Sequence, residues 1–121
     1  MVPVARFLTG PKQNALLPDE LIVAVRLEPR EMRQTFMKVG PRNAMVIAVV
    51  SLALVVDGDE VRASFGSAGP VPGLVTAPLG DDLPERVAEA ASPIDDVRGT
   101  ARYRRHALRV LTQRALERCL A

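Results

Sequence analysis

The feature that most constrains the fold is a long apolar segment, residues 46–56, followed at once by a turn. Both alternate sets of its side chains are apolar, interrupted only by Ser51. A strand of this kind is covered on both faces and lies in the middle of its sheet. Asp57-Gly58 is a typical tight-turn dipeptide, so Glu60–Gly66 is predicted as the return strand of a hairpin. Periodicity alone also allows a helix over residues 44–56, but the frequent β-branched residues favour a strand.

Two extended segments precede this hairpin. Residues 21–27 are mostly apolar and end at Glu28-Pro29, which predicts a strand. Residues 35–39 form a second strand that ends at Gly40-Pro41. After the hairpin, residues 66–80 contain four glycines and three prolines, so irregular backbone is expected there.

Two helices are predicted in the last third of the chain. Residues 83–91 form the first, with Pro84 in its first turn and Asp81 or Asp82 as its cap. Thr100 is the N-cap of the second, which runs to about Leu120 and is amphipathic. Its predicted apolar half carries Tyr103, Ala107, Leu108, Val110, Leu111, Ala115 and Cys119, and its polar half carries Arg102, Arg105, Arg109 and Gln113.

The amino-acid composition excludes several classes of protein. Aromatic residues make up 3% of the chain, so the core must be aliphatic. One cysteine and one histidine are too few for an internal disulfide or a closed zinc site. The longest apolar run is too short to span a bilayer and no secretory signal is visible, so we expect a cytoplasmic protein without a membrane partner.

Charge is distributed unevenly. Residues 81–96 contain six acids against one arginine, and residues 98–118 contain seven arginines against one glutamate. A basic stretch of this kind could bind nucleic acid, but it lacks lysines and interleaved aromatic residues. We therefore favour an acidic segment and a basic helix that lie close and partly neutralise each other, and we do not expect a nucleic-acid partner.

Few residues suggest chemistry. There is no phosphate-binding GxxxxGK[ST] or GxGxxG motif and no G-x-S-x-G nucleophile elbow. His106 falls on the polar side of the last helix, and we do not assign it a catalytic role. Lys38 stands at the end of a short apolar strand, where a cation could meet an anionic ligand. From the residues alone, an edge-strand lysine that discourages strand pairing is the simpler interpretation.

Four stretches carry a resemblance to a known family. They read LLPDELIVAVRLEP at 16–29, FMKVGPRNAMVIAVVSLALVV at 36–56, FGSAGPVP at 65–72 and PIDDVRGTARYRRHALRVLTQRALE at 93–117. The pattern resembles the FAD-binding (medium) subunits of molybdenum hydroxylases, such as carbon monoxide dehydrogenase and xanthine dehydrogenase. The most specific piece is D-x-R-G-x-x-x-Y-R-R.

The resemblance implies two domains. Residues 1–30 would be the tail of an incomplete FAD-binding domain, and residues 31–121 a domain like the carbon monoxide dehydrogenase flavoprotein C-terminal domain. The fold class that the resemblance implies for that domain is α+β, a small antiparallel β-sheet packed against C-terminal helices, which agrees with the elements predicted above. It implies partners: the flavin-binding segment, a [2Fe–2S] small subunit and a molybdopterin large subunit, with a homo-oligomer left open. The chain would be a component of a flavin-dependent oxidoreductase and not catalytic alone.

The resemblance also implies two FAD-contacting residues. Lys38 matches the lysine of the family's F-x-K motif, and Ile22 matches an apolar residue of the preceding strand that packs on the isoalloxazine. The family's glycine-rich pyrophosphate loops have no counterpart in this sequence, so we expect FAD only together with the missing flavin-binding segment. The short stretch 73–80 also departs from the helix that the family has there.

Two alternatives stay open. The hairpin and the arginine-rich helix could form a non-enzymatic module that binds protein or nucleic acid. The chain could also be a truncated remnant of a longer subunit without independent activity.

Overall fold

The computed structural model describes residues 1–29, 31–44, 46–80 and 82–121, and the chain divides into two compact units, Met1–Glu31 and Met32–Ala121. Every buried residue of the described chain lies in the second unit. That unit therefore contains the hydrophobic core. The identity of residues 1–30 as the tail of a FAD-binding domain stays a prediction.

The first unit has little regular structure. A single turn of helix, α1 (Val4–Phe7), leads into a short antiparallel hairpin of β1 (Leu8–Gly10) and β2 (Gln13–Asn14). Lys12 takes a positive φ of 58° in the connecting turn.

The predicted strand over residues 21–27 is wrong for this structure, because the segment has no regular secondary structure. Its apolar side chains are largely exposed on both alternate sides: Leu21 87%, Ile22 59%, Val23 95%, Val25 78% and Leu27 82%. A strand is defined by hydrogen bonds to a neighbour, and no described strand pairs with these residues. The β-like sequence pattern of residues 21–27 is therefore not matched by a sheet in the part of the chain that the structure describes.

The second unit is built on a four-stranded antiparallel sheet. Its strands follow chain order: β3 (Arg33–Val39), β4 (Val50–Asp57), β5 (Glu60–Gly66) and β6 (Gly73–Pro78). β4 lies between β3 and β5, as predicted for the central strand, although it begins at Val50 and not at residue 46. The predicted hairpin is confirmed, with Asp57 opposite Glu60 and Gly58 at a φ of +60°.

The sequence analysis missed β6, which lies inside the stretch expected to be irregular. Residues 73–78 alternate between more and less exposed positions, and their prolines and glycines lie at the ends. As an edge strand, β6 tolerates Pro78 at its end. Gly73 is required there, because a β-carbon at this position would lie 2.1 Å from Cζ of the Phe65 ring. Tertiary packing thus explains a glycine that looked like a loop signal.

Both helices of the second unit pack on the sheet. They are α2 (Leu83–Ala90) and α3 (Ala101–Leu120); α3 contacts β3 and β4, and α2 contacts β6 and α3. The structure confirms the predicted α+β class. The core side chains from the sheet are Val50, Leu52, Leu54, Val56, Val61, Ala63, Phe65 and Ala77, and they meet Leu83, Val87, Ala107, Leu108, Leu111, Ala115, Leu116 and Cys119 from the helices.

The second face of β4 was expected to be covered as well, and this is wrong. Ser51, Ala53 and Val55 on that face are only half-buried. The reason is architectural: the described helices that contact the sheet lie against its other face, where the fully buried side chains are. We call this second face, formed by the outward side chains of β3 to β6, the open face.

The predicted N-cap of α3 is confirmed, whereas the cap predicted for α2 is not observed at Asp82. Thr100 caps α3, since its Oγ1 accepts a hydrogen bond from the Tyr103 amide at 3.1 Å. Asp82 occupies the N-cap position of α2, but its side chain makes no capping bond and instead lies 3.7 Å from Arg86. Asp81, the other predicted cap, lies outside the described residues.

Five of the seven residues predicted for the apolar face of α3 are buried, and Val110 is half-buried. Thr112 and Leu116 are also buried, although the sequence analysis did not assign them to that face. Tyr103 is 46% exposed, while Arg104, in the next position, is only 2% exposed. Arg104 was assigned to neither half of the helix, and it is buried because it donates hydrogen bonds to the part-buried Ser67 carbonyl and Asp96.

Candidate functional site

Lys38, one of the two predicted flavin-contacting residues, lies on the open face near one end of β3. It is exposed, and its Nζ donates a hydrogen bond to the Val46 carbonyl at 3.1 Å. Its neighbour across the sheet is Ser51 on β4, whose own neighbour is Gly66 on β5. Cross-strand neighbours point to the same face, so these three residues form one row. The row places a cation, which is bonded to the Val46 carbonyl, beside a serine and a glycine.

The adjacent cross-strand row has large apolar side chains on the two edge strands and small side chains on the two central strands. Phe36 on β3 is opposite Ala53, Ala53 is opposite Ser64, and Ser64 is opposite Leu74 on β6. Phe36 and Leu74 are each 63% exposed. This row was not singled out from the sequence, since only the register brings residues from four strands together. The open face therefore combines exposed apolar surface with a cation.

Ile22, the other predicted contact, lies in the first unit, on the irregular segment 21–27. Its side chain is 59% exposed, which leaves it available to pack against a ligand or another polypeptide. The roles of Lys38 and Ile22 in flavin binding stay predictions. The chemistry of the two side chains, an exposed ammonium and an exposed apolar group, fits a ring that is apolar on its faces and polar at its edges.

The motif D-x-R-G-x-x-x-Y-R-R has a structural role, because three of its residues form a hydrogen-bonded group. We call Asp96, Arg98 and Arg104 the clamp. Asp96 accepts hydrogen bonds from the Arg98 amide at 2.8 Å, from Arg98 Nη2 at 2.8 Å and from Arg104 Nη2 at 2.5 Å. These bonds, the Arg98 ones first, lower the pKa of Asp96 to about 2. Arg104 also donates to the Ser67 carbonyl at 2.5 Å. The motif thus joins the start of α3 to the loop after β5.

The acidic segment and the basic helix do lie close, as predicted. Glu85 on α2 pairs with Arg109 on α3 at 3.0 Å, and Asp96 pairs with Arg104. These ion pairs neutralise only part of the positive charge of α3. A hollow of about 740 Å³ follows the first turns of α3 and is lined by Thr100, Arg102, Tyr103, Arg105, His106 and Arg109. The surface of this hollow is basic, because Arg102, Arg105 and Arg109 line it.

The other features of the described residues do not form a further candidate site. Burial raises the pKa of the Cys119 thiol more than the neighbouring Arg118 and Arg33 lower it, so this buried cysteine is a core residue as predicted. Among the described residues, no group of three or more His, Cys, Asp or Glu is placed to hold a metal ion. None of the described helices has the length and apolarity needed to cross a membrane.

Comparison with known proteins confirms the resemblance. No protein-family model matches the chain. It is 26% identical, over a 140-residue alignment, to the xanthine dehydrogenase FAD-binding subunit of Escherichia coli O157:H7, and the alignment covers 99% of this chain and 48% of that subunit. The chain spans about half the length of the curated relatives it matches.

Solved structures share the fold. A chain of the carbon monoxide dehydrogenase from Hydrogenophaga pseudoflava superposes with a TM-score of 0.82 at 17% identity, over 98% of this chain and 48% of that one. Reconstituted carbon monoxide dehydrogenase from Oligotropha carboxidovorans gives a TM-score of 0.77 at 21% identity, over 95% and 47% of the two chains. The predicted similarity to the carbon monoxide dehydrogenase flavoprotein fold is therefore confirmed.

Proposed function

We propose that this chain forms the C-terminal part of the FAD-binding subunit of a molybdenum hydroxylase and helps to position the flavin. The observation that carries the proposal is the place of Lys38. In a chain similar over 99% of its length to a FAD-binding subunit, the one lysine of its F-x-K motif stands exposed on an uncovered sheet face. Residues on that face are available to a ligand without any change of the core.

Each candidate residue has a distinct physical role in this proposal. Lys38 places a positive charge beside the ring system, which favours its reduced, anionic form. Ile22 packs an apolar side chain against the ring face. When bound, FAD accepts electrons from iron–sulfur clusters and passes them to an acceptor. The chain itself supplies contacts and charge, and it is not catalytic alone.

Exposed apolar surface supports an assembly with further polypeptide. The apolar side chains of residues 21–27 are exposed on both sides, and the open face of β4 is apolar by sequence but only half-buried. Patches of this kind in soluble proteins commonly mark interaction sites. We propose that the flavin-binding segment covers them, and that a [2Fe–2S] subunit and a molybdopterin subunit complete a cytoplasmic complex.

A fusion protein tests the proposal. The part of the E. coli FAD-binding subunit that has no counterpart here is joined ahead of this chain, and flavin is measured by absorbance near 450 nm. The fusion should carry FAD, whereas the isolated chain should be colourless because the expected phosphate-binding loops are missing. A fusion that folds without flavin, or an isolated chain with stoichiometric flavin, would contradict the proposal.

The role of Lys38 is tested in the same fusion. Lys38→Met should lower the flavin potential by about 30 mV, the two-electron equivalent of roughly 1.4 kcal/mol of lost charge stabilisation. Lys12→Met is the matched control, since Lys12 is the only other lysine and lies in the β1–β2 turn. Equal potentials and flavin contents for the two variants would remove Lys38 from the site.

The basic surface of α3 is the observation that favours the alternative, a non-enzymatic binding module. Its arginines Arg102 and Arg105 are exposed. Binding of DNA or RNA that weakens steeply with salt would support that alternative, and its absence at low salt would dismiss it.

A further inference from the structure

Ser51 is a hydroxyl without a partner on the open face. It is half-buried, and among the described residues no hydrogen bond joins its Oγ to another group. Ser64, on the neighbouring strand and the same face, differs because its Oγ donates to the Gly73 carbonyl at 3.0 Å. Ser51 lies directly opposite Lys38, and β-carbons of such cross-strand pairs are about 4.5–5.5 Å apart. One free donor thus stands next to one cation.

Gly66 keeps this hydroxyl uncovered. A β-carbon at position 66 would lie 2.7 Å from Ser51 Oγ, too close for both to keep their places. The φ of Gly66 is not in the positive region, so backbone conformation does not require a glycine here. The absence of a side chain at Gly66 instead makes room for Ser51 Oγ, in the same cross-strand row as Lys38. We call these three residues the Ser51 notch.

The surface beside the notch suits a flat ring. Its floor consists of the small side chains of Ala53 and Ser64, and its two ends carry the exposed Phe36 and Leu74. Adjacent strands are about 4.8 Å apart, so the three intervals from β3 to β6 span roughly 14 Å. A planar ring of two or three fused cycles can rest on a floor of this width.

We propose that Ser51 is a further ligand-contacting residue, which hydrogen-bonds a carbonyl or ring nitrogen at the edge of a planar heteroaromatic ring whose charge Lys38 balances. This inference deepens the proposed function and rests on it, because the flavin ring is the ligand of this chemistry. The notch would hold one polar edge while Phe36 contacts the apolar part. In this arrangement Lys38 supplies the positive charge, and the hydrogen bond from Ser51 fixes the orientation of the ring.

Nuclear magnetic resonance of the full isotope-labelled chain tests the inference, with FMN as the soluble probe. FMN at increasing concentration should shift amide signals of residues 36–38, 51–53 and 64–66. Inorganic phosphate at the same concentrations should not, which separates ring binding from phosphate binding. Ser51→Ala, which removes the hydroxyl, and Gly66→Ala, which fills the notch, should each weaken the FMN affinity about fivefold.

Thr76→Ala is the matched control, because Thr76 is an exposed hydroxyl residue at the other end of the same face. It should bind FMN like the unaltered chain. If Gly66→Ala fails to fold by thermal melting, Ser51→Ala alone decides. Unchanged affinity in Ser51→Ala with weakened affinity in Lys38→Met overturns the inference and leaves the proposed function intact. Shifts with phosphate only, or no shifts, also overturn it, and the fusion then judges the proposed function separately.

Discussion

At the scale of single residues, Arg104 is the one charged residue that is buried among those the structure describes. Its side chain is 2% exposed and reaches both the Ser67 carbonyl and Asp96. Ser67 has a φ of 60°, an uncommon conformation for a residue with a β-carbon. A guanidinium can hold a carbonyl and a carboxylate at once, so Arg104 fixes this loop against the start of α3.

Replacing Arg104 with Met should therefore destabilise the second unit by about 2–4 kcal/mol, because the Ser67 carbonyl and Asp96 lose a buried donor. Urea denaturation followed by circular dichroism measures this. The control is Arg102→Met, which changes an exposed arginine of the same helical turn and should cost less than about 0.5 kcal/mol. Equal losses in the two variants would show that the clamp contributes nothing.

Asp96 makes the stability of the clamp depend on pH. Its pKa of about 2 in the folded chain lies below the ordinary value near ~3.9. A carboxylate with a lowered pKa stabilises the fold above its unfolded pKa, and this contribution disappears as pH falls from about 4 towards 2. Asp96→Asn should be less stable than the unaltered chain at pH 7, and the difference should shrink across that window.

Urea denaturation at pH 7, 4, 3 and 2 checks this expectation. Asp59→Asn, a change at an exposed residue of the β4–β5 turn, provides the comparison. A stability difference for Asp96→Asn that stays constant down to pH 2 would contradict the assigned role.

At the scale of elements, β4 has one buried face and one open face. Leu54 is 0% exposed, whereas Val55, its neighbour in sequence, is half-buried on the open face. The two residues face opposite sides of the sheet, because successive side chains of a strand alternate. They allow the same substitution to be compared within one strand.

Leu54→Asp should prevent folding, since an unpaired carboxylate among core side chains costs several kcal/mol. Val55→Asp should leave a folded chain with a loss of about 1 kcal/mol or less, because water reaches the open face. Thermal melting of the two purified variants tells them apart. A cooperative melt for Leu54→Asp, or an unfolded Val55→Asp, would show that the faces are assigned the wrong way round.

At the scale of the whole molecule, stability is concentrated in one unit. Among the described residues, all buried side chains belong to residues 32–121, and those of the first unit include none. A segment that buries no apolar side chains gains little from ordering its backbone. The second unit should therefore fold without the first.

A chain shortened to residues 32–121 should melt cooperatively within a few degrees of the full chain. Residues 1–31 in isolation should show no cooperative transition. Calorimetry of the three proteins makes the comparison. A shortened chain that fails to fold would mean that the first unit supplies essential contacts.

The sequence by itself determined the central hairpin, the two C-terminal helices and the resemblance to a known family. The return strand 60–66, the Thr100 cap and most of the apolar face of α3 follow from the sequence, because turn chemistry, capping and hydrophobic periodicity act over a few residues. The motif stretches also sufficed for the resemblance that the comparisons confirm.

The tertiary structure decided which surfaces are covered and which residues meet. It left residues 21–27 without a sheet partner, turned an expected loop into β6, and buried Arg104 in place of Tyr103. It also brought Lys38 and Ser51 side by side through strand register. These outcomes depend on contacts between residues distant in the chain, and a local pattern specifies what a segment prefers but not what lies against it.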